Sequence, residues 1–211
     1  MPTSPMHPQQ PPDSDPDPEP GTPPDTDTAP DPAAARAAAF LRDLGADRVP
    51  HPGGTLLDHL GRVRSRLAGW GARPALRLAG LCHACYGTDG FPAVLLPLDR
   101  RADLAGVIGA EAETIVRRYG GCARTATYAG LGSPNALFHD RFTGRADPPA
   151  PGELHDFAEL TAANELDLAV RDSAFRDRHG PGLLALFTRL RPQLSRAAWE
   201  DCRSILGASA G

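Results

Sequence analysis

Two histidines, His59 and His83, occupy positions from which their side chains can meet inside the protein. His59 shares a helical face with Leu60 and Val63, because residues three and four apart lie on the same side of a helix. By the same spacing, His83 shares a face with Ala79. Two imidazoles that point inward from consecutive helices can converge on one point, which is how helical bundles build metal sites. The alternative is that each is a hydrogen-bonded core histidine.

A third histidine extends this set of donors. His51 precedes His59 by eight residues, on the loop that enters the same helix, and Asn164 offers an amide oxygen further along the chain. Three imidazoles with an oxygen ligand suit a transition metal better than magnesium. We therefore expect a divalent transition metal, such as zinc, iron or manganese, at His51, His59, His83 and Asn164. A buried polar cluster without an ion is the alternative.

The segment that follows His83 supplies the candidates for acid–base chemistry. Residues 86–91 read Tyr-Gly-Thr-Asp-Gly-Phe, and the two glycines with the Asp-Gly dipeptide predict a tight turn. Such a turn can direct both Tyr86 and Asp89 into a pocket beside His83. Both are therefore candidate catalytic residues, with Asp89 as general base or metal ligand. The alternative for Asp89 is a turn aspartate that hydrogen-bonds its own backbone.

Two arginines of a later segment are the candidate substrate-binding residues. Arg141 and Arg145 lie in the stretch 120–150, whose many Gly, Pro, Ser and Thr residues predict a long loop. Guanidinium groups pair well with phosphate or carboxylate, and a solvated basic loop is the alternative. The literal dipeptide His139-Asp140 lies in the same stretch without an apolar helix to position it, so we do not expect it to bind a metal.

These residues need a scaffold, and the apolar pattern predicts an all-α domain over 34–208. From Ala34 onward the apolar residues recur at helical rather than strand spacing. The predicted helices cover 34–44, 55–70, 74–87, 100–106, 109–119, 151–172, 180–191 and 195–206.

A tail precedes this domain. Residues 1–35 hold seven acidic residues, no arginine and twelve prolines, so residues 1–33 are predicted to be a disordered Pro/Asp-rich tail. Since the whole chain has a net charge of -4, the remainder is only weakly positive, which argues against a nucleic-acid-binding surface. His7 is expected in the tail and His179 on the surface.

The chain shows neither a basic start followed by an apolar segment nor an apolar run long enough to span a bilayer. We therefore expect a soluble cytoplasmic protein without a membrane partner.

Cys82 and Cys85 form a C-x-x-C pair in an apolar helical stretch. Small core thiols are the favoured interpretation, with a redox pair or half of a zinc site as alternatives.

Two short stretches around the histidines resemble a known family. Residues 59–63 read His-Leu-Gly-Arg-Val and residues 78–83 read Leu-Ala-Gly-Leu-Cys-His. Together they resemble the core signature of the HD superfamily of metal-dependent phosphohydrolases, in which a helix with H-x-x-x-V precedes an apolar helix that ends in His-Asp. The separation of 24 residues between His59 and His83 is similar to the compact spacing of (p)ppGpp hydrolase domains.

The resemblance extends over about residues 51–170. Residues 54–59 are similar to the G-x-P-Y-x-x-H segment of those hydrolases, and residues 108–116 resemble their F-G-x-x-V-A-x-L-V segment. Residues 160–164 lie where the hydrolases have a late K-L-A-D motif. The combined pattern also looks like a bacterial family of HD-like proteins without an assigned activity. The resemblance implies an HD-domain-like helical bundle.

The chain departs from the HD pattern at the metal ligands. Ala84 follows His83 where the family has aspartate, and Asn164 replaces the late aspartate, so two of four expected ligands differ. The catalytic Glu-Asp pair of the hydrolases is represented by Gly87 and Thr88.

The resemblance implies a metal-dependent hydrolase that acts on a small phosphorylated or nucleotide-like substrate. Two alternatives are an HD-type iron-dependent oxygenase of a small molecule and a non-catalytic HD-like domain that has lost its activity. Metal content separates the last from the other two.

Overall fold

The computed structural model describes Met1, residues 31–91 and residues 93–207. Most of the predicted disordered tail lies outside the described residues. Its predicted end is two residues too late, because Pro32 and Ala33 already belong to the first helix. Asp31 begins that helix, since its carboxylate accepts hydrogen bonds from the backbone N–H groups of Ala33 and Ala34.

The described residues are mostly helical, which confirms the predicted all-α class. The α-helices are α1 (Pro32–Asp43), α2 (Leu56–Gly69), α3 (Pro74–Cys82), α4 (Arg101–Ile108), α5 (Ala110–Gly121), α6 (Arg124–Gly130), α7 (Pro151–Arg171), α8 (Ser173–Arg189) and α9 (Arg196–Gly207). Two short antiparallel pairs join β1 (Pro50–His51) with β2 (Gly54–Thr55) and β3 (Phe138–Asp140) with β4 (Arg145–Asp147). None of the described helices is long and apolar enough to cross a membrane.

Helix α7 forms the centre of the domain. All twelve residues from 156 to 167 are buried, as expected for a helix that has neighbours all around it. Helices α2, α3, α5, α8 and α9 pack against it. Polar residues of α7 are therefore held within the core, where they need partners.

Helices α2 and α3 approach each other closely at Gly80. A Cβ atom at this position would lie 2.5 Å from Cδ1 of Leu67 on α2. Glycine leaves room for this approach, which brings the inward faces of the two helices, and with them His59 and His83, next to each other.

The predicted loop over 120–150 is wrong, because it contains α6 and the β3–β4 hairpin. Turn-forming residues dominate the composition of this stretch, but tertiary contacts order it. The buried hydroxyl of Thr127 accepts a hydrogen bond from the backbone N–H of His139 at 3.1 Å. A bridge between Cys122 and Asp140 joins the hairpin to the end of α5.

Two predicted helix bounds also differ from the structure. The helix predicted over 180–191 begins at Ser173, because Asp172 caps it by accepting from the backbone N–H of Phe175 at 2.9 Å. Helix α3 ends at Cys82, so that His83 lies in its C-terminal turn.

The cysteines Cys82 and Cys85 are free and buried in the core, as predicted. The hydrogen bond between them, together with burial, raises the pKa of the Cys82 thiol well above its ordinary value. A thiol of this kind is unreactive at neutral pH.

Candidate functional site

Four histidines, His51, His59, His83 and His179, line one cavity of about 380 Å³. The rings of His51 and His59 stack with their centroids 4.1 Å apart, and the ring of His83 meets that of His59 edge-on at 5.3 Å. The rings of His51, His59 and His83 therefore meet at one cavity. We call this space the histidine cavity; Asn164 also lines it.

Local structure explains how the first two rings are placed. The turn between β1 and β2 brings His51 back against the start of α2. Thr55 and Asp58 form a capping box there: the backbone N–H of Asp58 donates to the Thr55 hydroxyl at 3.2 Å, and the backbone N–H of Thr55 donates to the Asp58 carboxylate at 2.9 Å. His59 follows in the first turn of this well-anchored helix.

One nitrogen of the His59 ring is held by α7. Nδ1 of His59 donates to the carboxylate of Asp167 at 2.7 Å. Arg62 donates to the same carboxylate through two nitrogens, at 2.7 and 2.9 Å. Burial opposes ionisation of Asp167, but the hydrogen bonds from His59 and Arg62 outweigh it and hold the pKa of this carboxyl at about 2. Asp167 is thus a fixed anion beneath the cavity.

The other nitrogen of His59 faces the amide of Asn164. Nε2 lies 3.0 Å from the Asn164 oxygen, while the amide NH₂ of Asn164 donates to Glu165 at 3.1 Å. Both ring nitrogens of His59 therefore face oxygen atoms of α7 side chains.

The neighbouring histidines are neutral at physiological pH. Burial and the charge of His59 lower the pKa of His83 to about 3 and that of His51 to about 4. Nδ1 of His83 lies 2.8 Å from the carbonyl oxygen of Gly80; the neutral ring donates to it, which leaves Nε2 with a lone pair. Nδ1 of His51 is buried without a hydrogen-bond partner among the described residues.

The ring nitrogens of these histidines are chemically suitable ligands for a transition metal. A metal-binding histidine usually donates its second ring nitrogen to a carboxylate or a backbone carbonyl, and His59 and His83 do so with Asp167 and Gly80. Nδ1 of His51, which has no hydrogen-bond partner among the described residues, is a further nitrogen that is available to a metal.

The arrangement is not a closed metal site. Within residues 31–91 and 93–207, no group of three or more His, Cys, Asp and Glu side chains is placed to hold an ion. At His59, Nε2 contacts the Asn164 oxygen, and the ring of His51 is stacked on the His59 ring. Binding of an ion would require His59 to exchange its hydrogen bond to Asn164 for a metal bond.

A partly buried arginine at the cavity was not predicted from the sequence. Arg124, the first residue of α6, donates to the Glu165 carboxylate at 3.0 Å and to the Tyr119 hydroxyl at 3.3 Å. Both Arg124 and Glu165 line the histidine cavity. No local signal marked Arg124, because the sequence predicted a loop there. Asp167 had a signal: it lies three residues after Asn164, on the same face of a helix.

The predicted catalytic residues Tyr86 and Asp89 do not line the cavity. The hydroxyl of Tyr86 donates to Glu113 at 2.8 Å, and Arg101 pairs with the same carboxylate. The exposed carboxylate of Asp89 accepts from the backbone N–H of Arg124 at 2.7 Å, where it caps α6. Asp89 therefore hydrogen-bonds to a backbone N–H, as in the alternative interpretation. The N–H belongs to α6, however, and not to the turn that contains Asp89.

The predicted substrate-binding arginines also lie elsewhere. Arg141 donates to the backbone oxygen atoms of Gly120 at 2.7 Å and Gly87 at 3.2 Å, so it connects two segments. Arg145 is exposed on β4. Neither arginine lines the cavity, because the segment that carries them is an ordered hairpin that packs against the end of α5.

Two further predictions concern single residues. Asp140 of the literal His-Asp dipeptide pairs with Arg117 at 2.7 Å and lies outside the cavity lining. His179 is exposed, as expected, but it lies at the rim of the histidine cavity. Its ring is 4.7 Å from that of Phe175.

Residues 40–124 match a family model described as a domain of unknown function, DUF6817. Comparisons with curated proteins and with solved structures found no match. The matched segment contains His51, His59, His83 and Arg124, and it ends before α7, which supplies Asn164 and Asp167. The similarity to HD-type phosphohydrolases stays a prediction.

Proposed function

We propose that this protein is a metal-dependent hydrolase of small phosphorylated substrates, with its active site in the histidine cavity. The observation that carries the proposal is the convergence of His51, His59 and His83 on one cavity. Two of these rings have their Nδ1 atoms fixed by an oxygen acceptor, which is the environment of metal-binding histidines.

The residues that would hold the ion are His51, His59 and His83, with the Asn164 oxygen as a further ligand. His51 and His83 are neutral at physiological pH, so their lone pairs are available without loss of a proton. A bound transition metal supplies Lewis acidity and lowers the pKa of a coordinated water.

Arg124 supplies a positive charge for an anionic substrate. Its guanidinium lies on the wall of the same cavity, where it is paired with Glu165. A phosphate group can share this guanidinium, because arginine has five N–H donors.

Glu165 is placed to accept a proton. Its carboxylate lines the cavity and is buried, with hydrogen bonds from Arg124 and Asn164. In the proposed hydrolysis, water adds to phosphorus as the bond from phosphorus to the leaving oxygen breaks. Glu165 takes the proton from the attacking water and gives it to the leaving oxygen, so that the alcohol and phosphate are released.

The first experiment is elemental analysis of the full-length protein purified without chelator. We expect a stoichiometric amount of zinc, manganese or iron, and turnover of at least one member of a panel of nucleotides and small phosphoesters. Arg124→Gln should keep the metal and lose most of the turnover, whereas the matched control Arg145→Gln should change neither. Oxygen consumption with bound iron and no phosphoester turnover would favour the oxygenase alternative.

A non-catalytic role is the second candidate, and one observation favours it. Both ring nitrogens of His59 already have partners, in Asp167 and Asn164, so the network is satisfied there without an ion. Protein that neither retains nor binds zinc, manganese or iron would overturn the hydrolase proposal and support this candidate.

A further inference from the structure

A second recess adjoins the histidine cavity. It has a volume of about 490 Å³ and runs between α6 and α8. We call it the α6–α8 groove; its own lining residues are Thr125, Tyr128, Ala129, Gly182, Leu183, Leu186 and Arg189.

The groove and the cavity adjoin each other. Arg124, Glu165, Phe175 and His179 line both spaces. The pair Arg124–Glu165, at 3.0 Å, therefore stands between them. A molecule whose charged end contacts Arg124 has the apolar wall of the groove beside it.

The groove differs from the cavity in chemistry. Its walls between the two ends are mainly apolar, with Tyr128, Phe175, Leu183 and Leu186, and its charged groups lie at the junction and at Arg189. The guanidinium of Arg189 donates to the backbone oxygen of Tyr128 at 3.0 Å, which ties α8 to α6 at that end. Apolar and aromatic walls with a few polar groups are typical of small-molecule sites.

The groove has open space at Gly182, where an added Cβ atom would meet no atom within 4 Å. The hydroxyl oxygen of Tyr128 is buried, so it offers no hydrogen bond to a molecule in the groove.

We propose that the α6–α8 groove is a second subsite, which binds the aromatic or other ring-shaped apolar part of a phosphomonoester whose phosphate contacts Arg124. This inference rests on the proposed function, because the phosphate end belongs to the histidine cavity. It names the substrate class: phosphomonoesters with a ring next to the phosphate are bound more tightly than those with a small alkyl group.

The test measures binding of two probes to the metal-loaded full-length protein by calorimetry. The probes are 1-naphthyl phosphate and methyl phosphate, which share the phosphate and differ in the apolar part. We expect 1-naphthyl phosphate to bind about tenfold more tightly or better, because it buries a ring in the groove. Equal affinities for the two probes would overturn the inference.

A pair of variants on α6 locates the effect. Ala129 is exposed and lines the groove, while Ala126 is exposed on the same helix and does not line it. Ala129→Trp should abolish the preference for 1-naphthyl phosphate and leave methyl phosphate binding unchanged. Ala126→Trp should keep the preference. Because both positions are exposed, both variants should fold, which circular dichroism checks.

The outcomes separate this inference from the proposed function. Methyl phosphate binding without a naphthyl preference, or a preference that survives in Ala129→Trp, overturns the groove as a subsite and leaves the hydrolase proposal standing. Absence of both metal and methyl phosphate binding overturns the hydrolase proposal and the inference together.

Discussion

Asp167 holds the ring of His59 through a 2.7 Å hydrogen bond to Nδ1, from a helix 108 residues further along the chain. The side chain of Asp167 is almost fully buried, and Arg62 balances its charge from the other side. The carboxylate therefore sets which nitrogen of His59 faces the cavity.

Asp167→Asn should weaken zinc binding. The amide can still accept a hydrogen bond from Nδ1, but it lacks the charge that makes the ring a stronger ligand, so we expect a loss of about 10- to 100-fold in affinity. Competition with a chromophoric zinc chelator measures this. Asp147→Asn, at an exposed position on β4, is the control, and equal zinc affinities of the two variants would contradict the role of Asp167.

His83→Ala should lose bound metal, whereas His139→Ala should keep it. His83 is 2% exposed and lies in the cavity wall, so its ring is held in place by packing, a condition for a preorganised site. His139 lies on β3 and does not line the cavity. Elemental analysis of both purified variants makes the comparison. Retention of metal by His83→Ala and its loss from His139→Ala would show that the literal His-Asp dipeptide is the active pair.

Gly80→Ala should destabilise the protein, and Gly61→Ala should not. The added methyl group at Gly80 would lie 2.5 Å from Cδ1 of Leu67, which is fully buried, so Leu67 must shift within the packed core. We expect a loss of about 1 to 3 kcal/mol in the free energy of unfolding. A Cβ at Gly61, inside α2, meets no atom within 4 Å, and alanine should stabilise the helix by up to about 1 kcal/mol. Urea denaturation measures both changes, and a neutral result for Gly80→Ala would contradict the expected cost of placing a methyl group against Leu67.

Arg117→Met should reduce stability at pH 7, and this reduction should shrink as the pH falls below the ordinary aspartate value. Burial opposes ionisation of Asp140, but the hydrogen bonds from Arg117 and from the backbone N–H of Phe142 outweigh it and lower the pKa of this carboxyl below 3.8. An aspartate with a lowered pKa in the folded state stabilises the protein above the unfolded value, and this contribution disappears as the pH falls through the folded pKa. We expect a difference of about 1 kcal/mol at neutral pH. Urea unfolding across this pH range measures it, with the exposed Arg145→Met as control; a pH-independent difference would contradict it.

The sequence predicted the helices that position the histidines better than the segments around them. Periodicity placed His59 and His83 on inward faces, because side-chain direction along a helix follows from local geometry. It failed over 120–150, where α6 and the hairpin depend on contacts such as that between Thr127 and His139. Composition cannot report a hydrogen bond between distant segments.

By itself, the sequence determined the all-α class, the two inward histidines and the burial of Cys82 and Cys85. Only the tertiary structure decided their surroundings: Asp167 beneath His59, Arg124 at the cavity, and Tyr86 and Asp89 outside it. The physical reason is the sequence separation between the residues that interact. A helical face is set by neighbours three or four residues away. These partners, in contrast, meet because α7 is buried among several helices and α6 packs at their edge, and no short stretch of sequence encodes that arrangement.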